Sequence, residues 1–256
     1  MRVEIDGRAA AADELRFPAL VNYGHFTSMQ VRQRAVRGLG LHLRRLEAAT
    51  RELFGTGLDE DRVRHCIRHA LTEGVSDATV RVTVFRADPG RGPSVLVSVR
   101  APVTAADLPQ RLEPVVYQRP LAHLKHTGTF AQIHYGVLAE RNGFDDALLT
   151  SDDGTVLETT TANIGCCQEQ AIIWPDAPAL HGITRQLLER SLPGAGLATR
   201  RGAVRLGDLT SFRAVFLANS LGIVPVGQVG EHILPADPQL MRTLADSYQS
   251  IPWDPV

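Results

Sequence analysis

Two stretches of alternating residues, Thr79-Val80-Arg81-Val82-Thr83-Val84-Phe85 and Ser94-Val95-Leu96-Val97-Ser98-Val99, flank the turn run Asp88-Pro89-Gly90-Arg91-Gly92-Pro93. Side chains on a strand point to opposite faces in turn, so this pattern predicts an antiparallel hairpin. Around it the elements lack a regular strand–helix–strand rhythm. Val3-Glu4-Ile5-Asp6-Gly7 reads as a short strand entering a turn. Leu39, Leu43, Leu46, Leu53 and Phe54 repeat at helical spacing over 39–54, with Gly55 as a stop. A second helix is expected over 59–73, opened by Asp59-Glu60-Asp61 and closed by Gly74. Residues 101–113 carry two prolines and no periodicity and read as a linker. Beyond them a strand at 114–118 and a helix at 129–142 are expected. Three short strands around Asp152-Asp153-Gly154, reaching Trp174-Pro175, a helix from Ile183, several strands between 198 and 226 and a terminal helix complete the reading. Such mixing predicts an α+β fold rather than a doubly wound sheet.

The chain has 256 residues and a formal net charge of -1, with acids and bases interspersed. That balance offers no electrostatic footprint for nucleic acid or anionic lipid. No run approaches the ~18 uncharged apolar residues of a membrane helix, and residues 1–4 open no signal-peptide core. Cys66, Cys166 and Cys167 are too few to staple a chain this size, which points to a reducing compartment and a soluble, cytoplasmic protein. Glycine-rich dinucleotide and phosphate loops and a nucleophile elbow are absent. His65, His69 and Glu73 fall at i, i+4 and i+8 beside Cys66, a spacing a metal could use. That helix is rich in Arg and His throughout, so a solvated face is the preferred reading and no metal is assigned. Cys166 and Cys167 point to opposite faces of a strand and read as small buried hydrophobes.

Of 27 basic residues, 26 are arginines and one is Lys125. Arginine replaces lysine on a solvated surface at little cost, but its guanidinium cannot become a neutral nucleophile. Lys125 is therefore either an exposed survivor of compositional bias or an amine kept for its chemistry. Lowering a lysine from ~10.4 to ~7 costs about 4–5 kcal/mol, which burial and cationic neighbours can supply. Pyridoxal 5'-phosphate would require such an amine, an anion at its ring nitrogen and a phosphate cradle. Glu158 ends the strand Thr155-Val156-Leu157 and opens the polar run Glu158-Thr159-Thr160-Thr161-Ala162-Asn163, so it is either an ordinary strand-end glutamate or that anion. His181-Gly182-Ile183-Thr184-Arg185 precedes an apolar helical run. A helix start presents free N–H groups and partial positive charge, which suits phosphate or simple capping alike.

Taken in order, these segments resemble the fold-type IV pyridoxal-phosphate enzymes, which comprise branched-chain aminotransferases, D-amino-acid aminotransferases and 4-amino-4-deoxychorismate lyases. The resemblance spans nearly the whole chain. It rests on Tyr23-Gly24-His25-Phe26-Thr27-Ser28, on His42-Leu43-Arg44-Arg45-Leu46, which matches His-x-x-Arg-Leu, and on Lys125. It continues through Gly143-Phe144-Asp145-Asp146-Ala147-Leu148-Leu149, Glu158 with Asn163-Ile164, Gly182-Ile183-Thr184-Arg185, and Ala218-Asn219-Ser220-Leu221-Gly222-Ile223-Val224-Pro225-Val226.

The resemblance implies a small N-terminal α/β domain over 1–110 and a larger barrel-like C-terminal domain over 111–256, with the cofactor between them and a homodimer completing the site. It implies an aminotransferase moving an amino group from an amino acid or amine to a 2-oxo acid through a Lys125 Schiff base. Lys125 would shuttle the proton, Glu158 would hold the pyridine nitrogen, and Arg45, Gly182, Ile183, Thr184, Asn163, Asn219 and Ser220 would bind the cofactor. Tyr23, Gln30 and Arg81 would meet the substrate, although Arg81 reads equally as a solvated strand residue. Departures bear on the substrate. Gln30 stands where many members carry arginine, and Phe130 replaces a tyrosine often found five residues after the lysine. Thr27-Ser28, Lys125-His126 and Asn219-Ser220-Leu221 lean toward the lyase branch, where a threonine hydroxyl assists proton transfer, so Thr27 and Ser28 join Lys125 as catalytic candidates. A lyase releasing pyruvate and a catalytically silent pyridoxal-phosphate-binding protein are the alternative readings.

Overall fold

The hairpin expected from alternation forms the middle of a larger antiparallel sheet. In the computed structural model every residue except 73 and 107 is described. The chain divides into two units. The first comprises Met1–Val103, Leu124–Gly128 and Pro252–Val256. Its elements are β1 (Arg2–Ile5), β2 (Arg8–Ala9), α1 (Arg16–Leu20), β3 (Gly24–Val31), β4 (Ala35–Arg37), α2 (Leu39–Phe54), α3 (Glu60–Ala70), β5 (Ala78–Phe85) and β6 (Ser94–Arg100). The sheet runs β2-β1-β6-β5-β3. Its inward face, with Met29, Val80, Val82, Val84, Val95 and Val97, packs on Leu39, Leu43 and Leu46 of α2 and on Val63 and Ile67 of α3.

Helix α2 matches the spacing of its leucines and stops at Gly55, whose left-handed φ of 67° is one that glycine adopts readily. Its start at Gly38 has no side-chain cap of its own. Instead Asp254, far away in sequence, accepts from the Leu39 N–H at 2.9 Å. Helix α3 opens on Asp59, which accepts from the N–H groups of Asp61 and Arg62. It ends at Ala70, short of the expected 73, and Arg34 donates to the carbonyls of Leu71 and Thr72 beyond that end. Glu73 lies outside the described residues. His69, from the same candidate group, bonds Glu4 Oε2 through Nδ1 at 2.8 Å, while Cys66 is buried.

The second unit comprises Thr104–His123 and Thr129–Ile251. It contains β7 (Gln110–Val116), α4 (Phe130–Arg141), β8 (Asp146–Thr150), β9 (Val156–Thr159), β10 (Asn163–Gln168), β11 (Ala171–Pro175), α5 (Ile183–Ser191), β12 (Ala198–Gly202), β13 (Ala214–Asn219), β14 (Gly222–Val229), β15 (His232–Ile233) and α6 (Pro238–Gln249). The last strand, β16 (Trp253–Pro255), pairs with β4 in the first unit. A curled half-barrel sheet runs β12-β11-β10-β13-β14-β7-β8-β9, with β15 on β14. Cys166 and Cys167 alternate as expected, the first in the core with Leu148 and Val215 and the second in the core with Leu188 and Leu244. Among the described residues no helix is long and apolar enough to cross a membrane.

Three expectations differ from the structure. Strand β7 starts at Gln110, inside the expected linker, and carries Pro114 in its interior. Leu112 O accepts from Gly230 N on the β14 side, so Pro114, two residues on, also faces that side. The β14 ladder ends at the Leu112–Val229 pair, so the missing N–H breaks no bond. Second, four strands rather than three lie between 146 and 175. The turn dividing β10 from β11 uses Glu169 at a φ of 52°, so no glycine or asparagine marks it. Third, 124–128 group with the first unit, not with the residues after 110. The cause is direct pairing with β3, where Phe26 N donates to Lys125 O at 2.8 Å and Thr127 N to Gly24 O at 2.9 Å.

Gly165 on β10 lies under the ring of Phe216 on β13, and a Cβ there would stand 2.4 Å from Phe216 Cζ. That ring is fully buried and meets Trp174 edge-on at 5.5 Å. Gly165→Ala is expected to displace it and cost about 1–3 kcal/mol, read as a lowered urea midpoint with unchanged slope; an unchanged midpoint would refute this packing.

Candidate active site

The candidate residues fall into two groups, one in each unit, and β3 organises the first. Residues 124–128 add to its free edge, with His25 bridged to His126. Lys125, partly buried, places Nζ 5.0 Å from the centre of the Phe26 ring. The Arg81 guanidinium lies over the same ring at 3.5 Å, in the range of a cation–π contact, and its Nε donates to Thr83 Oγ1 at 3.3 Å. Across β3 and β5, Phe26 stands opposite Thr83, Ser28 opposite Arg81 and Gln30 opposite Thr79. These six residues therefore share one face. Gln30 Oε1 accepts from Thr79 Oγ1 at 3.1 Å and from Val103 N at 3.3 Å, while its Nε2 is buried without a hydrogen-bond partner. Tyr23 is half exposed and donates to Leu53 O at 3.4 Å.

Alternation sends Thr27 to the opposite face, toward α2. It is fully buried, and its Oγ1 accepts from Arg45 Nη2 and lies 2.6 Å from His42 Nδ1. The register thus separates the two expected hydroxyls, Ser28 on the Arg81 face and Thr27 against α2. Arg45 keeps Nε buried and without a hydrogen-bond partner. Burial lowers its guanidinium to about 10, still charged at neutral pH. Next to it His25 Nε2 pairs with Thr50 Oγ1 at 2.9 Å. Burial, then the Arg45 charge, holds His25 at about 4. Burial, Arg45 and Lys125 hold His42 well below its ordinary range.

The second group surrounds the start of α5. Glu158 is buried on β9; Oε1 accepts from Arg119 Nε at 2.9 Å and Oε2 from Leu180 N at 3.1 Å. Arg119 is also buried, and it donates through Nη2 to Ala122 O. Asn163 clamps the chain before α5, donating to Leu180 O at 2.7 Å and accepting from Gly182 N at 3.1 Å. A Cβ on Gly182 would stand 2.2 Å from Asn163 Oδ1, so only glycine allows this approach. The first N–H groups of α5, at Ile183 and Thr184, have no acceptor within the helix. Thr184 Oγ1 donates to Asn219 O at 2.6 Å, and Asn219 Oδ1 accepts from Leu221 N at 2.8 Å, which fixes the turn carrying Ser220. Phe130 begins α4 at 80% exposure, stacked on His134 at 5.9 Å.

Sequence reasoning gave Arg119 no role, and His42 entered only as part of a motif. No local signal separates Arg119 from 25 other arginines, because its partner lies 39 residues away.

The family model described as Amino-transferase class IV matches residues 24–229. A probable branched-chain-amino-acid aminotransferase of Rickettsia felis is 31% identical over 83 residues, which is 32% of this chain and only 29% of that protein's length. A hypothetical aminotransferase from Mycobacterium tuberculosis, solved in a PLP-bound form, superposes with a TM-score of 0.86 at 20% identity, covering 98% of both chains. A structure assigned as a 4-amino-4-deoxychorismate lyase from Legionella pneumophila reaches 0.83 at 22% identity, covering 92% of this chain and 93% of its own. At such identities the structural likeness establishes the fold.

The histidines make a pH test. An unfolded His25 takes up its proton as pH falls through about 6.5, whereas the folded one resists until about 4. Its stabilising contribution is complete above pH 6.5 and is lost on acidification, by about 3 kcal/mol at pH 4. Urea unfolding at pH 7, 5.5 and 4.5 is expected to show this loss, and His25→Gln to flatten it. An unchanged slope in the variant would overturn the assignment.

Proposed function

The chain belongs to the class IV aminotransferase family, and we propose that it is a pyridoxal-phosphate-dependent transaminase that takes the amino group from an amino acid or amine and delivers it to a 2-oxo acid. The observation that carries this reading is the position of Lys125, the only lysine, strapped to β3 with its amine 5.0 Å from the centre of the Phe26 ring, which the Arg81 guanidinium also contacts. Two features suit the phosphorylated cofactor. Arg45 keeps a buried Nε–H without a protein partner, and the first N–H groups of α5, at Ile183 and Thr184, have no acceptor within the helix. A charged guanidinium and a helix N-terminus each favour phosphate oxygens.

When bound, the cofactor supplies an electron sink for the charge left at the substrate Cα after deprotonation. Lys125 would hold the cofactor through its amine, and its Nζ would carry the proton that the reaction moves. Glu158 would hold the proton on the ring nitrogen. Its two oxygens each use one acceptor site, on Arg119 and on Leu180 N–H, and retain others. Arg81, with Ser28 and Gln30 on its face, would receive the substrate carboxylate.

The lyase reading uses the same residues for the first steps and eliminates pyruvate instead. Its support is the Phe26-Thr27-Ser28 segment, which puts the Ser28 hydroxyl on the Arg81 face. Amino donors that convert the bound cofactor to its pyridoxamine form support transaminase; pyruvate release from aminodeoxychorismate without that conversion supports lyase.

We also propose a homodimer working in the cytoplasm. Phe130, Ile133 and Val137 form an exposed apolar stripe along α4, suited to burial on a second copy. Three buried free thiols suit a reducing compartment. Light scattering is expected to give about twice the 27.9 kDa chain mass, and a monomer would refute the dimer.

Borohydride reduction after incubation with pyridoxal phosphate is expected to fix one adduct per chain, found by mass spectrometry on Lys125 and lost in Lys125→Ala. Glu158→Gln should retain the adduct and lose at least about a hundredfold in turnover. An adduct that survives in Lys125→Ala sinks the proposal.

A further inference from the structure

Two α2 residues at i and i+3, His42 and Arg45, face one β3 hydroxyl, that of Thr27. A hydroxyl has a single proton to give. Thr27 Oγ1 accepts from Arg45 Nη2, and its remaining proton and lone pair let it bond His42 Nδ1, 2.6 Å away, in either tautomer of the ring. Burial, then the Arg45 and Lys125 charges, favours the neutral form of His42. Arg45, Thr27 and His42 thus form one hydrogen-bonded chain, inside a region where Thr27 and His42 are almost wholly shielded from water. One end of the guanidinium is thereby fixed, and its Nε–H stays buried without a protein acceptor.

We propose that Thr27 and His42 are positioning residues for Arg45, turning its guanidinium so that the Nε–H edge meets a phosphate group. The inference rests on the reading of Arg45 as a phosphate ligand. It assigns Thr27 to phosphate recognition instead of proton transfer, and makes that recognition depend on a β3 hydroxyl as well as on the arginine.

The test compares pyridoxal phosphate with pyridoxal, which lacks the phosphate, as ligands of the cofactor-free protein. Affinities are measured by equilibrium titration. Thr27→Val and His42→Leu are each expected to cut the preference for the phosphorylated ligand roughly tenfold, with pyridoxal affinity unchanged. Thr27→Ser should restore the preference. Equal losses for both ligands would mark a merely structural role and overturn the proposal, as would an unchanged preference in Thr27→Val.

A second arm needs no cofactor. Inorganic phosphate should raise the melting temperature of the wild type and of Thr27→Ser but not of Thr27→Val. Equal stabilisation of all three, or of none, overturns the positioning role. Failure of the functional reading is seen separately, as a wild type that yields no reducible adduct with either aldehyde.

Discussion

A sheet that ends in an edge strand leaves a row of N–H and C=O groups for something to pair with. In the first unit that edge is β3, and residues 124–128 occupy it through Phe26 N–H to Lys125 O and Thr127 N–H to Gly24 O. Thr127 Oγ1 adds a bond to Asn22 O at 2.9 Å. A lysine on a free loop would spend its side-chain entropy in solvent. One whose own backbone is sheet-bonded has only its side chain left to order, and Phe26 already flanks that side chain. This attachment fixes where along β3 the Lys125 backbone stands.

Alternation along β3 then divides the labour. Phe26, Ser28 and Gln30 lie with Arg81 on one face, whereas His25, Thr27 and Met29 lie on the other and pack toward α2. Adjacent residues in one short motif thus have unrelated jobs. The outward set is polar around a single ring, which suits a carboxylate ligand. The inward set buries two histidines and an arginine, and these remain compatible with a hydrophobic core only because each ring nitrogen facing a hydroxyl is satisfied.

Much of this was legible in the sequence. The leucine spacing of α2, the hairpin of β5 and β6, the start of α5 at Ile183 and the lone lysine all follow from local pattern. What was not legible shares one property: its cause is a partner distant along the chain. Pro114 sits within a strand because the β14 ladder stops two residues earlier. The β10–β11 turn is made by a glutamate in a conformation its type rarely adopts. Residues 124–128 join the first unit through β3, some 100 positions away. Thr27 and Ser28 looked equivalent until the register separated their faces.

The Arg119–Glu158 pair shows why stability alone does not account for the second group. Both side chains are more than nine-tenths buried, and withdrawing two charges from water costs several kcal/mol for each ion before their attraction offsets it. Apolar residues of similar volume would fill the same space at no such cost. What an apolar pair cannot do is hold a carboxylate in one orientation, and here Arg119 Nε and Leu180 N–H fix the two oxygens separately. Leu180 is in turn bound through its carbonyl to Asn163, which also receives Gly182 N–H. Glu158, the loop before α5 and the helix start therefore form one hydrogen-bonded unit whose acceptor and donor groups keep a fixed spacing.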